Sequence, residues 1–255
     1  MNESNQFRNK LALAHAGPEL QNVIVGIIGR KGTGKSTISR EILKPARRLF
    51  IFDTASDHAW VPDTFTRIDE AYVFLFYQGT SGAEFVARYV PEEEEEEDSL
   101  VRDVNEISKV IWEIGNITYA IEELPMMSSP QWAPGKVNRL FRLGRHRAIN
   151  LVYTGQRAAE LPRRATGATD IFILFHTSEP GDLDRIEERC GSECAEIVRN
   201  LNDHEFVVFD VRLKSLIEID PRWYDRVLTE TFTYTPAVGG RSGRSALWSL
   251  DDGEC

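Results

Sequence analysis

The run Gly29-Arg30-Lys31-Gly32-Thr33-Gly34-Lys35-Ser36 constrains this chain more than any other. It fits G-x-x-x-x-G-K-[ST], the phosphate-binding P-loop. Its flanks fit as well. Val23-Ile24-Val25-Gly26-Ile27-Ile28 is an apolar run that reads as a buried strand, and Ser36 to Leu43 reads as a helix. The glycines let the backbone curl until successive N–H groups point inward at phosphate oxygens, and the helix N-terminus adds its partial positive charge. The pattern predicts a nucleotide cradled by Gly29, Arg30, Lys31, Gly32, Thr33, Gly34, Lys35, Ser36 and Thr37. Lys35 would bridge the β- and γ-phosphates, and the Ser36 hydroxyl would hold Mg²⁺.

The 255 residues suit one large α/β domain with extensions, and 42% hydrophobic with 27% charged residues is ordinary for a globular protein. No apolar stretch approaches the roughly 18–20 residues needed to span a bilayer. Met1 to Lys10 is polar and lacks the apolar centre of a signal peptide. The expectation is a cytoplasmic protein without membrane insertion. Cys190, Cys194 and Cys255 offer no second pair for a metal site and read as incidental thiols.

A net charge of −10 does not advertise nucleic-acid binding. Distribution alters that picture. Lys136, Arg139, Arg142, Arg145, Arg147, Arg157, Arg163 and Arg164 crowd one segment, opposed within it only by Glu160. Such a stretch is either a phosphate footprint or a solvated face with partners elsewhere. The acidic run Glu92 to Asp98 reads as an exposed, self-repelling loop or helix lead-in.

The chain divides into a lead-in over 1–20, a core over 21–220 and a Gly/Ser/Arg-bearing extension over 221–255. Arg48 to Asp53 and Ala71 to Tyr77 read as strands, and Ser81 to Val90 as a helix. Leu100, Val101, Val104, Ile107, Val110, Ile111 and Ile114 recur at helical spacing, ended by Gly115-Asn116. Ile117 to Ile121, Asn150 to Thr154, Asp170 to Phe175 and Glu205 to Val211 read as further strands, the last forming a hairpin with Ser215 to Ile219. Strands alternating with helices predict a mostly parallel sheet, covered on both faces, with an antiparallel hairpin at the end. Right-handed crossovers then gather the strand C-termini on one rim.

Two further elements fall on that rim. Tyr119-Ala120-Ile121-Glu122 followed by Glu123 is an apolar strand ending in acids, the pattern of a Walker B element. Glu122 would accept from Mg²⁺-bound water, and Glu123 would polarise the attacking water as general base. Asp53 competes from the end of the second strand but is the weaker choice, because that strand follows the P-loop helix directly. Gln156 also follows an apolar strand, where an amide can contact the γ-phosphate or the lytic water.

The stretch from Gly144 to Pro162, with the strand Asn150 to Thr154 and then Gly155-Gln156-Arg157, resembles the region around the fourth core strand of HerA/FtsK-type ATPases. With the P-loop and the acid pair, three elements match in order from Val23 to Asp210. The resemblance implies a RecA-like (ASCE) P-loop NTPase fold, ATP and Mg²⁺ as ligands, and a ring-forming motor, hexamer or pentamer, acting on double-stranded DNA. It also implies an arginine finger supplied by the neighbouring subunit, whose match here is Arg145. Three departures stand out: Glu122-Glu123 where the family usually has Asp-Glu, Ala158 where it has proline, and Lys31 inside the loop. A short motor domain without barrel or membrane helices looks most like the genome-packaging ATPases of membrane-containing icosahedral viruses, which dock at a capsid vertex. Such a protein would work in the host cytoplasm and could travel in the virion. The alternatives are a cellular or plasmid-borne HerA-like DNA-transfer ATPase, a small-molecule P-loop kinase and a nucleotide switch. A kinase does not need Glu123 or Gln156, and a slow switch does not need a general base.

Overall fold

The computed structural model describes residues 23–92 and 97–216, together with the backbone of two later strands, Phe232–Pro236 and Ala246–Leu250. The proposed lead-in over 1–20, the centre of the acidic run and most of the C-terminal extension lie outside the described residues.

Eleven described strands form one sheet. In chain order they are β1 (Ile24–Ile28), β2 (Arg48–Phe52), β3 (Asp63–Phe65), β4 (Phe85–Tyr89), β5 (Ile117–Ile121), β6 (Ile149–Gly155), β7 (Ile171–Phe175), β8 (Phe206–Asp210), β9 (Ser215–Leu216), β10 (Phe232–Pro236) and β11 (Ala246–Leu250). The spatial order is β10-β11-β8-β7-β1-β6-β5-β2-β4-β3, with β9 added to β8. From β7 to β3 every pairing is parallel, whereas β8, β9, β10 and β11 pair antiparallel. The P-loop strand β1 is thus separated from the acid-bearing β5 by the glutamine-bearing β6. This is the mostly parallel P-loop fold that the sequence predicts, and the hairpin of β8 with β9 is present.

Seven α-helices accompany the described strands: α1 (Lys35–Leu43), α2 (Ile68–Ser81), α3 (Glu97–Ile114), α4 (Gly135–Leu143), α5 (Arg163–Ala168), α6 (Pro180–Cys190) and α7 (Ser192–Arg199). Strand alternation sorts the core into two clusters. Val25 and Ile27 of β1 join Ile38, Ile42 and Leu43 of α1 on one face. Ile24 and Ile28 join side chains of the other six helices on the opposite face. Both faces of the central strands are therefore buried against apolar side chains, as a parallel sheet requires.

Two expected elements are exchanged. Ala71 to Tyr77 is not a strand but lies in α2, and the span from Ser81 to Val90 holds β4 rather than a helix. The run Ala71-Tyr72-Val73-Phe74-Leu75-Phe76-Tyr77 is rich in β-formers, but the buried positions of α2 are Ala71, Leu75 and Gly79, four apart. A strand would bury every second residue. Gly79 lets α2 lie close on α3, because a Cβ there would collide with the Ile114 side chain. In β4, Phe85, Ala87 and Tyr89 alternate into the core. The three-residue edge strand β3 was not expected.

Candidate active site

Four parallel strands end on one rim, and each delivers part of the site. After β1 the chain enters the P-loop, where Gly32 (φ 84°) and Gly34 (φ 96°) take the left-handed backbone that glycine tolerates. Gly29 N–H donates to the Gly155 carbonyl at 3.1 Å, which ties the loop to the end of β6. A Cβ at Gly29 would meet Phe175 Cβ at 2.6 Å, so the loop can lie close on β7 only with glycine there. Helix α1 starts at Lys35, and helix geometry leaves its first N–H groups without intrahelical partners. That cradle fits an anionic phosphate. Lys35 is buried, and its Nζ donates to the Arg30 carbonyl at 3.1 Å. Arg30 and Lys31 are exposed.

Beyond β5 the two acids separate. Glu123 adopts φ 49°, ψ 54°, a left-handed conformation unusual outside glycine and asparagine. Its Oε1 lies 3.7 Å from Lys35 Nζ, and the Gln156 amide is near enough to favour its ionised form. Burial pushes the Glu123 carboxyl above its ordinary value, against the opposing pull of Lys35. Lys35, Glu123 and Gln156 therefore share one corner of the rim.

Glu122 turns inward and is 3% exposed. Its Oε1 accepts from Ser39 Oγ at 2.7 Å and pairs with His58 Nε2 at 2.7 Å, while Oε2 accepts from Thr154 Oγ1 at 2.6 Å. Burial alone would raise this carboxyl, but the His58, Thr154 and Ser39 hydrogen bonds and the His58 charge outweigh it and hold Glu122 low. The Thr154 hydroxyl also accepts the Glu123 N–H at 2.8 Å, so one hydroxyl fixes both acids.

Asp53 is fully buried and committed elsewhere. Its Oδ2 pairs with Arg88 Nη1 at 2.8 Å and accepts the His58 N–H at 3.1 Å, while Oδ1 accepts the Asp57 N–H at 3.0 Å. It thereby shapes the loop after β2, which carries Asp57 to Ser36, whose hydroxyl donates to Asp57 Oδ2. His58 Nδ1 accepts from Trp60 Nε1 at 3.2 Å.

Arg145 is not at this rim. It lies exposed in a 3₁₀ turn, Gly144–Arg147, before β6, at the opposite end of the strand from Gln156. Part of the basic stretch is engaged within the fold. Arg157 pairs with Asp182 at 3.3 Å and Glu179 at 3.8 Å, Arg139 stacks on Trp112 at 3.9 Å, and Arg147 caps the carbonyls of Trp112 and Glu113. Cys190 and Cys194 are buried and free on adjoining helices, and no cluster of three metal-ligating side chains occurs among the described residues.

Sequence reasoning missed Ser39, Asp57, His58 and Thr154. The available signal was placement: Asp57-His58 stands a short loop beyond a strand that ends on this rim. No described helix is long and apolar enough to cross a membrane.

No protein-family model and no curated protein matches the chain. Solved structures do. The genome packaging NTPase B204 from Sulfolobus turreted icosahedral virus 2, in complex with ATP-gammaS, is 22% identical, with TM-score 0.60 over 77% of this chain and 96% of that one. B204, the DNA-packaging ATPase from Sulfolobus turreted icosahedral virus, is 23% identical, with TM-score 0.59 over 78% and 97%. VirB4 of Thermoanaerobacter pseudethanolicus is 10% identical, with TM-score 0.59 over 82% and 92%. At these identities the likeness establishes a shared P-loop ATPase fold over most of each chain.

Proposed function

We propose that this chain is an ATP-hydrolysing subunit of a double-stranded DNA translocase, of the kind that packages viral genomes. The observation that carries the reading is the corner formed by Lys35, Glu123 and Gln156, with Lys35 Nζ 3.7 Å from Glu123 Oε1 beside a glycine-cornered P-loop. The fold shared with B204, which is solved with ATP-gammaS, supports the same reading.

In this reading the α1 N-terminus and the loop N–H groups bind the triphosphate, and Lys35 exchanges the Arg30 carbonyl and Glu123 for phosphate oxygens. Glu123, raised by burial, takes a proton from water, and the neighbouring Gln156 amide orients that water. Ser36, with the buried and ionised Glu122 behind it, would hold Mg²⁺ through hard oxygen donors. Mg²⁺ held there would supply positive charge against the charge developing on the phosphates. Arg145 completes the site of the adjacent subunit, so hydrolysis depends on assembly into a pentameric or hexameric ring. DNA is held through its phosphates, without sequence preference and with strong salt dependence. Capsid vertex proteins would be the docking partner, in the host cytoplasm.

The test is the ATPase rate of the assembled protein with and without double-stranded DNA. Wild type should be stimulated by DNA. Glu123→Gln should lose about 10²–10⁴-fold in kcat while still binding ATP, and Lys35→Ala should lose binding and turnover together. A rate indifferent to DNA in an assembled ring ends the motor reading.

A further inference from the structure

We infer that Asp57, in the loop after β2, is the carboxylate that works with Ser36 at the Mg²⁺ site, and that Glu122 sets the site from beneath. The inference rests on the nucleotide-binding part of the proposed function. Two acids compete for the position beside the P-loop serine. Glu122 is 3% exposed and accepts hydrogen bonds from three side chains, Ser39, His58 and Thr154. A carboxylate has about four acceptor positions, so Glu122 is nearly saturated. Its contact with α1 is Ser39, almost one helical turn beyond Ser36.

Asp57 is exposed, and its Oδ2 accepts the Ser36 hydroxyl proton directly. That bond commits the proton of the hydroxyl to Asp57 and leaves oxygen lone pairs for a hard cation. The Asp57 carboxylate adds a further oxygen donor of the kind Mg²⁺ takes, directly or through a retained water.

The placement is built rather than incidental. Asp53, fully buried and paired with Arg88, holds the N–H groups of both Asp57 and His58. Ser56 takes φ 57°, and its N–H returns to the Asp53 carbonyl at 3.3 Å. His58, directly after Asp57, is locked to Glu122. The loop thus joins the buried acid to the exposed one, and it positions Asp57 from β2 rather than from β5.

The measurement is the affinity for a fluorescent ATP analogue in excess EDTA and in Mg²⁺, for wild type, Asp57→Asn, Asp57→Ala and Glu122→Gln. Thermal melting reports whether each variant folds, and Asp57, being exposed, tolerates the isosteric change. Wild type should bind more tightly with Mg²⁺ than in EDTA. Asp57→Asn and Asp57→Ala should keep the EDTA affinity and lose tenfold or more of the Mg²⁺ gain, equivalent to about 1.4 kcal/mol or more. An unchanged Mg²⁺ gain in both Asp57 variants overturns the assignment while leaving nucleotide binding intact. A gain lost in folded Glu122→Gln and kept in Asp57→Asn also overturns it, in favour of Glu122. Wild type that binds no nucleotide under either condition overturns the nucleotide reading, and this inference with it.

Discussion

Between Glu122 and Glu123 the backbone passes into left-handed space, and the two carboxylates part into different environments. Such a conformation costs on the order of 1–3 kcal/mol for a non-glycine residue and survives where the surroundings enforce it. Here the Thr154 hydroxyl enforces it from one side and the Lys35–Gln156 corner from the other. The result is one acid held low and one pushed up, the separation that lets neighbouring carboxyls take different roles. The partner of the low acid has its own titration. Burial disfavours the His58 imidazolium, but Glu122, with Asp53 and Asp57, more than compensates and raises His58 above its ordinary value. In the structure the ring carries its proton on Nε2, toward Glu122, because Nδ1 accepts from Trp60. A second proton on Nδ1 strengthens the pair with Glu122 and expels the indole N–H. The difference in tryptophan fluorescence between wild type and Trp60→Phe should therefore titrate with a midpoint above about 6.5. A raised folded value means that the stability from His58 is fully present below about pH 6.5 and is lost as pH rises through the folded pKa. His58→Gln should abolish both the titration and that part of the pH dependence. A midpoint at or below the ordinary histidine value would refute the account.

At the scale of elements, the parts readable in sequence were those whose signal is local. The P-loop declares itself by glycine spacing. Helix α3 shows an apolar stripe and ends at Gly115 and Asn116, both at positive φ. Strands β5 and β6 are short apolar runs with polar residues at their ends. Where the reading failed, tertiary packing outweighed propensity. The aromatic and β-branched content of Ala71 to Tyr77 favours a strand, yet α2 leaves Val73, Phe76 and Tyr77 more than half exposed and buries the stripe that meets α3. The Asp57–Ser36 and His58–Glu122 contacts were illegible for a related reason: they join residues 21 and 64 positions apart, and no pattern along the chain encodes them. The α2–α3 contact gives a direct test. Gly79→Ala places a methyl group where Ile114 already stands and should destabilise the fold by about 1–3 kcal/mol, despite alanine's better helix propensity. Ile114→Ala in the same background should recover part of that loss. A Gly79→Ala variant more stable than wild type in urea unfolding would mean that this close approach does not hold the pair together.

For the molecule as a whole, the sheet has two rims with different content. One carries Lys35, Glu122, Glu123 and Gln156 at strand ends, and the other carries Arg145 before β6 begins. A seven-residue strand such as β6 spans about 23 Å, far beyond the reach of an arginine side chain. Arg145 therefore cannot serve the P-loop of its own chain. If it acts on phosphate at all, it does so in a neighbour, through a head-to-tail interface of one rim against the next subunit's other rim, the type that forms a ring when its rotation closes. This makes the trans assignment testable by subunit mixing. Lys35→Ala and Arg145→Ala should each be inactive alone, the second losing on the order of 10³-fold or more if the guanidinium stabilises transition-state charge. Each variant still carries the residue that the other lacks. In a random equal mixture, a subunit with Lys35 meets a neighbour with Arg145 at about a quarter of the interfaces of a heterologous ring. Activity should then reappear on mixing and vanish again when both substitutions are placed in the same chain. A mixture as inactive as its components, in rings shown to contain both subunits, would remove Arg145 from the catalytic site and leave the turn before β6 a structural role.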